Sequence, residues 1–310
     1  MNPAWSVIFL TVLIGAGQGL FLALFGAELA GFGVAPGEGG VLATGALLAV
    51  LLCGLGLVAS FFHLGHPERA WRAAAMWRTS WLSREVIVLP LFMALAALWG
   101  GLHFVGAGST RAVGAAALVA CLALFVCTGM IYASIRFIQE WASGLTLLNL
   151  LLLGCASGAL LAAALAAVAA PALQAPATQA AFVLTLAGAA SRGASLWRNA
   201  RLKPRSTLQS AIGIKHPQVR QRAQGFVGGS FNTREFFHGR AAPFLRRVKA
   251  GFIVLAFVLP LLMLAAALGG ASPAWLAAAF SMQLLGLLAE RWFFFAQANH
   301  PQNLYYQVVS

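Results

Sequence analysis

The chain has 310 residues, 61% of them hydrophobic and only 9% charged, with a mean hydropathy of +0.84. A soluble domain is roughly 45–50% apolar, so a water-soluble fold is nearly excluded, and the even recurrence of apolar runs divides the chain as one helical bundle rather than two soluble domains. Twenty Lys or Arg stand against seven acidic residues, all of them Glu, for a net charge of +13; with no Asp, a hard-cation cage has little to draw on.

Runs long enough to cross a hydrocarbon core of about 30 Å fall at 5–31, 41–62, 83–104, 112–134, 145–170, 176–197, 247–270 and 273–296. They predict an all-α integral membrane protein: a bundle of about eight transmembrane helices forming one polytopic domain over 1–310. The Ala-rich fifth and sixth runs, joined through Pro171 and Pro176, are the least distinct as separate crossings. The first run lacks a basic leader and is too long for a signal-peptide core.

An even number of crossings places both termini on one side. That side then carries 19 of the 20 Lys and Arg, and the opposite side only Arg111; without the long sixth loop the ratio is still 6 to 1. By the positive-inside rule both termini are cytoplasmic, in an inner (cytoplasmic) membrane. Two readings of the asymmetry stand side by side: it sets topology alone, or it also attracts anionic lipid and an acidic protein partner. Nucleic acid is not expected, because no nucleic-acid-binding pattern accompanies the charge.

In the first run Gln18 lies between Gly17 and Gly19, close to Gly15. The glycines indicate close helix packing, and the amide needs a polar partner. Glu28, nearer the opposite surface, is read as reaching water. The second run ends in Phe61-Phe-His-Leu-Gly-His66, and Pro67 starts a short segment carrying Arg69, Trp71, Arg72, Trp77 and Arg78. Trp beside Arg at a span end suits an interfacial helix.

The third run opens Trp81-Leu-Ser-Arg-Glu85. Ser83 is read as the N-cap, and Glu85 in the first turn is favoured by the helix dipole, which is a sufficient structural reason for it. The other reading is chemical. His63 and Arg84 should lie at similar depth under an aromatic and basic lid, and a carboxylate with an imidazole there can exchange protons with a lipid-soluble redox carrier. A buried b-type haem needs paired histidines at matching depth, and none are spaced for it. Electrons would come from a cofactor in another subunit. No metal site is expected: Cys53, Cys121, Cys127 and Cys155 form no CxxC pair and read as small packing residues.

Tyr132 with Arg136, and Glu290 with Arg291, end the fourth and eighth runs on the basic side and read as interface anchors and ion pairs. The loop over 198–246 is basic and long enough to serve as a docking platform. Within it Asn232 and Glu235 have capping-box spacing. Residues 297–310 form a cytoplasmic tail.

His63-Leu-Gly-His-Pro-Glu-Arg-Ala70, Leu82-Ser-Arg-Glu-Val86, Ser206-Thr-Leu-Gln-Ser-Ala-Ile-Gly213 and Asn232-Thr-Arg-Glu-Phe-Phe-His238 together resemble the DmsC-type membrane anchors of the molybdopterin oxidoreductases. The resemblance extends from Gln18 to the Asn303-Leu-Tyr-Tyr306 tail. It implies an eight-helix anchor that has no haem, iron–sulfur cluster or molybdopterin of its own. Such an anchor binds quinone (ubiquinone or menaquinone) and docks a four-cluster iron–sulfur subunit joined to a molybdopterin catalytic subunit. It also implies that His63 and Glu85 affect quinol reactivity. Arg84, Trp81 and Ser83 complete the candidate quinone and proton-transfer set. Arg69, Arg72, Arg78, Arg201, Lys203, Arg205, Lys215, Arg234 and His238 are the candidate docking set. Within the family, the charge bias and the wording of the loop resemble the SoeC-type anchors of cytoplasmic sulfite dehydrogenases. The expected function is therefore quinone reduction during sulfite oxidation to sulfate. Its alternatives are an anchor that oxidises menaquinol for a periplasmic dimethyl sulfoxide-type reductase, and a transporter. The last is suggested by Gln18 and the Gly-rich first helix and weakened by the absence of matching broken helices.

Overall fold

The computed structural model describes residues 1–33, 37–108, 110–223, 231–272 and 274–306. Among these the regular structure is entirely helical. Long helices occupy every expected run: α1 (Trp5–Leu29), α2 (Glu38–Phe61), α3 (Trp81–Val105), α4 (Thr110–Ala133), α5 (Gly144–Ala169) and α6 (Pro171–Asn199). The seventh and eighth runs are the rod α9–α10 (Ala242–Ile253 and Leu259–Leu268) and α11 (Ala274–Ala296); two short helices, α7 (Leu208–Ile212) and α8 (Asn232–Glu235), lie in the long loop. Six of the long segments, α1 to α5 and Ala242–Leu268, are long and apolar enough to cross a membrane. α6 and α11 have the length but hold Arg192 and Arg198, and Gln283, Glu290 and Arg291.

α1 and α5 pack along each other at the centre, with α2, α3 and α4 on one flank and α6, the α9–α10 rod and α11 on the other. Glycine permits the central contact: a Cβ on Gly19 would lie 2.0 Å from the Gly154 carbonyl oxygen, and one on Gly158 would lie 1.9 Å from the carbonyl carbon of Gly19. This is the small-residue packing expected around Gln18. Gln18 is itself buried and donates from Nε2 to the Cys121 carbonyl on α4 at 2.9 Å.

Between α9 and α10 the rod takes a π-helical turn at Val254–Val258. Pro260, at the start of α10, has no N–H to offer the carbonyl of Ala256 four residues before it. Gln283 of α11 replaces that donor, with Nε2 3.3 Å from the Ala256 oxygen and 3.1 Å from Thr185 Oγ1 of α6. In a membrane interior no water is present to satisfy the freed carbonyl, so the polar residue that lowers the apolarity of α11 keeps the broken rod intact.

The two ends of the described chain meet. Met1 N donates to the Ala298 carbonyl at 2.8 Å, Asn2 N to the Glu235 carbonyl at 2.8 Å, and Tyr305 Oη to the Ala211 carbonyl at 2.7 Å. The first residues, the long loop and the C-terminal segment thus cover one end of the bundle, here called the basic end.

Candidate functional site

On the basic end, α2 stops at Phe61 and a 3-10 helix runs from Pro67 to Met76. Trp71 and Trp77 are exposed, with the guanidinium groups of Arg72 and Arg78 stacked 5.5 and 5.4 Å from their ring centres, as an interfacial segment requires. The cap of α3 differs from the sequence reading. Ser80, not Ser83, is the N-cap: its Oγ accepts from Ser83 N at 3.3 Å, while the Ser83 side chain turns into the bundle. Replacing Ser80 by Ala is expected to cost the first turn about 1 kcal/mol, read as roughly fivefold faster amide exchange at Ser83.

Ser83 and Glu85 are both buried. Thr128 of α4 donates a hydrogen bond to Glu85 Oε1. A void of about 10 Å³ beside the carboxylate, walled by Thr11, Gln18 and Leu150 among others, has room for at most a water rather than a quinone ring. The neighbours named with Glu85 from sequence stand outside this pocket. Arg84 donates from Nε to the Trp77 carbonyl at 2.9 Å and from Nη2 to the Arg78 carbonyl at 2.8 Å, and stacks 4.2 Å over Trp81. It therefore closes the preceding loop. His63 is exposed at the end of α2, and partial burial lowers its pKa below the ordinary value, which favours the neutral imidazole.

A second charged cluster lies in the same layer, where the sequence pointed to interface anchors and ion pairs. Glu290 is fully buried; Arg192 Nε lies 2.6 Å from its Oε1, and Arg291 Nε lies 2.7 Å from its Oε2. Arg192, counted from sequence with the basic loop, is 2% exposed inside α6. Tyr132 is likewise buried, among Trp141, Phe294 and Phe295. The expected ion pair of Glu290 with Arg291 is present, but inside the bundle; the correction for these residues is one of placement, since polar groups near helix ends turned inward toward a partner of opposite charge or an aromatic wall.

Of the docking set, Arg69, Arg72, Arg78, Arg201, Lys203, Arg205, Lys215 and Arg234 are exposed on the basic end, and His238 is half-buried. Arg205, Arg240, His238 and His300 help line a cavity of about 810 Å³ there, together with Glu140 and Phe236. Sequence reading missed it, since it is assembled from five separate segments. The imidazole of His300 stacks on Phe236 at 3.9 Å. The Asn232 side chain, on which the capping-box reading falls, and residues 224–230 of the long loop lie outside the described residues, as do residues 307–310 of the tail.

The opposite end holds a polar site where only water contact was expected. Glu28 is 4% exposed; its carboxylate accepts from Trp99 Nε1 at 2.8 Å and from Thr110 Oγ1, and lies 3.3 Å from His103 Nε2. Glu28, His103 and Arg111 border a cavity of about 560 Å³ open to that face. Between Glu28 and Glu85 the interior is filled by aromatic rings: Phe21, Phe25, Phe92 and Trp99 are buried and pack edge to face, with Phe21 and Phe25 stacked. The i, i+4 pairing of Trp99 and His103 was the available sequence signal.

An all-helical bundle with one strongly basic end and a buried carboxylate beneath it fits a membrane anchor. The match to the DMSO reductase anchor subunit (DmsC) family covers residues 1–221. The chain belongs to this family and is a membrane anchor subunit of the DMSO reductase type. It is 53% identical, over 327 aligned positions and the whole of both chains, to the C subunit of the sulfite dehydrogenase of Allochromatium vinosum. It is also 34% identical over 116 residues to the anaerobic dimethyl sulfoxide reductase chain YnfH of Escherichia coli K12, covering 36% of this chain and 40% of that one.

Proposed function

We propose that this subunit passes electrons from an iron–sulfur partner to quinone in the membrane while a molybdopterin subunit oxidises sulfite to sulfate in the cytoplasm. The observation that carries the reading is the placement of Glu85, buried about 6 Å inside the basic end at 1.5 Å per residue from the start of α3. It lies on the same end as His63, the long loop and the exposed cations. A partner's cluster docked on that end would come within short reach of the quinone layer. Quinone reduction takes two electrons from the partner and two protons. His63, exposed on that end, and Glu85, buried on the same end, are the two groups that would take up and release those protons.

The side assignment follows from charge. With Arg192 and Arg291 inside the bundle, seventeen exposed or half-buried cations remain on the basic end against Arg111 on the other. In an eight-crossing topology that end is cytoplasmic; the choice of sulfite as substrate is supported by full-length similarity to a sulfite dehydrogenase subunit. Reporter fusions after the last residue, combined with a quinone-reduction assay on the purified complex, test the proposal. A cytoplasmic tail with sulfite-dependent quinone reduction is expected. A periplasmic tail, or electron flow only from menaquinol to dimethyl sulfoxide, would replace it with the reductase reading.

A further inference from the structure

The cavity of about 810 Å³ on the basic end has no part in the chemistry at Glu85 and His63. Five segments build its wall: the first residue, the turn between α4 and α5, the residues after α6, the stretch after α8 and the C-terminal segment. Hydrogen bonds between these segments hold the hollow in shape. Met1 N donates to the Ala298 carbonyl at 2.8 Å, Asn303 Nδ2 to the Phe236 carbonyl at 3.1 Å, and Asn199 Nδ2 to the Glu140 carbonyl at 3.4 Å. Its volume is in the range of sites that enclose a ligand, roughly 300–1,000 Å³.

The charged and ring groups of the wall are mainly donors. Arg205 and Arg240 are exposed cations. Nδ1 of His238 accepts from Arg240 N at 3.0 Å, and Nδ1 of His300 accepts from Gln302 N at 3.2 Å. Each imidazole therefore carries its proton on Nε2 and has a further N–H to give. The one carboxylate of the wall, Glu140, already accepts from Asn299 Nδ2 at 2.9 Å. Such a wall calls for an occupant rich in anionic acceptors.

The rest of the lining says what else the occupant brings. Phe137, Phe236 and Phe237 stand beside the donors, and Phe137 is 57% exposed. A free anion would satisfy the donors and leave these rings in water, whereas a peptide with acidic and apolar side chains satisfies both. The wall is made of connections and chain ends rather than of spans, so it faces a soluble partner rather than acyl chains. Met1, which borders the cavity, packs on the buried cluster of Tyr132, Trp141 and Phe294, so an occupant rests directly on the bundle. We propose that this cavity is the socket for an acidic segment of the iron–sulfur partner, whose carboxylates meet Arg205, Arg240 and the two imidazoles while an apolar side chain lies against Phe137. The identity of that partner rests on the function proposed above.

The test uses the whole purified complex with Phe137 replaced by the photo-crosslinker p-benzoylphenylalanine. Mass spectrometry is expected to find the adduct on a peptide of the iron–sulfur subunit that contains Asp or Glu. An adduct confined to lipid, to the molybdopterin subunit or to this chain overturns the proposal. Arg205→Glu combined with Arg240→Glu is expected to weaken retention of the iron–sulfur subunit about tenfold in a salt titration of the complex. Arg220→Glu with Arg222→Glu, exposed cations outside the cavity wall, is the matched control and should leave retention unchanged. Equal loss in both double variants means that the general field of the basic end holds the partner, and the socket falls. If the adduct and the selective loss are found but the complex does not reduce quinone with sulfite, the socket stands and the assigned function falls.

Discussion

Glu85→Gln is expected to lower sulfite-dependent quinone reduction by about 10²–10⁴-fold, the usual worth of a positioned proton donor or acceptor, while the complex still assembles. The substitution changes little else. Gln has nearly the same volume, and its side-chain carbonyl can accept the Thr128 hydrogen bond that Glu85 Oε1 accepts now. Folding should therefore be preserved, as checked by co-purification of the partner subunits and an unchanged elution volume. What the amide cannot do is bind and release a proton. A variant that assembles and retains the wild-type rate would show that the carboxylate serves only the first turn of α3, the structural role that its place in the sequence already allowed.

The second large effect is on folding. Gly158→Ala is expected to prevent accumulation of the folded subunit, at a cost above the roughly 1–3 kcal/mol of ordinary overpacking. The added methyl would meet backbone, 1.9 Å from the Gly19 carbonyl carbon and 2.0 Å from Leu20 N, and no flexible side chain can move aside. Because α1 and α5 join the two flanks of the bundle, separating them disturbs every neighbour. Gly26→Ala on the same α1, where a Cβ meets nothing within 4 Å, is the matched control and should leave the level unchanged. Membrane abundance and the monodispersity of the detergent-extracted complex read both variants.

The positions of the long helices were legible in the sequence because hydropathy is a property of consecutive residues. Which way a side chain faces is not, and the misreadings follow from that. Arg192, Glu290 and Arg291 lie near helix ends, where a residue facing lipid headgroups and one facing a buried partner read alike; only the packing of α6 against α5, and of α11 against α5 and the α9–α10 rod, separates the two. Glu28 and His103 are 75 positions apart in the chain, so their contact could not be read from spacing. Ser80 and Ser83 are both acceptable caps, and the choice depends on where the chain leaves the 3-10 helix. Glu85 was legible as unusual, but its neighbours Thr128 and Thr11 were not. The need of Gln18 for a polar partner was readable from its apolar surroundings; the partner, a backbone carbonyl on α4, carries no side-chain signal.

The four buried rings between Glu85 and Glu28 also have an electrical consequence. A transmembrane voltage falls mainly across material that holds neither water nor mobile charge, and moving one charge through the full drop is worth about 2.3 kcal/mol per 100 mV. Phe21, Phe25, Phe92 and Trp99 are that material here. Glu85 therefore sits near the potential of the basic face and Glu28 near that of the other, so a proton exchanged between Glu85 and the basic face crosses little of the field.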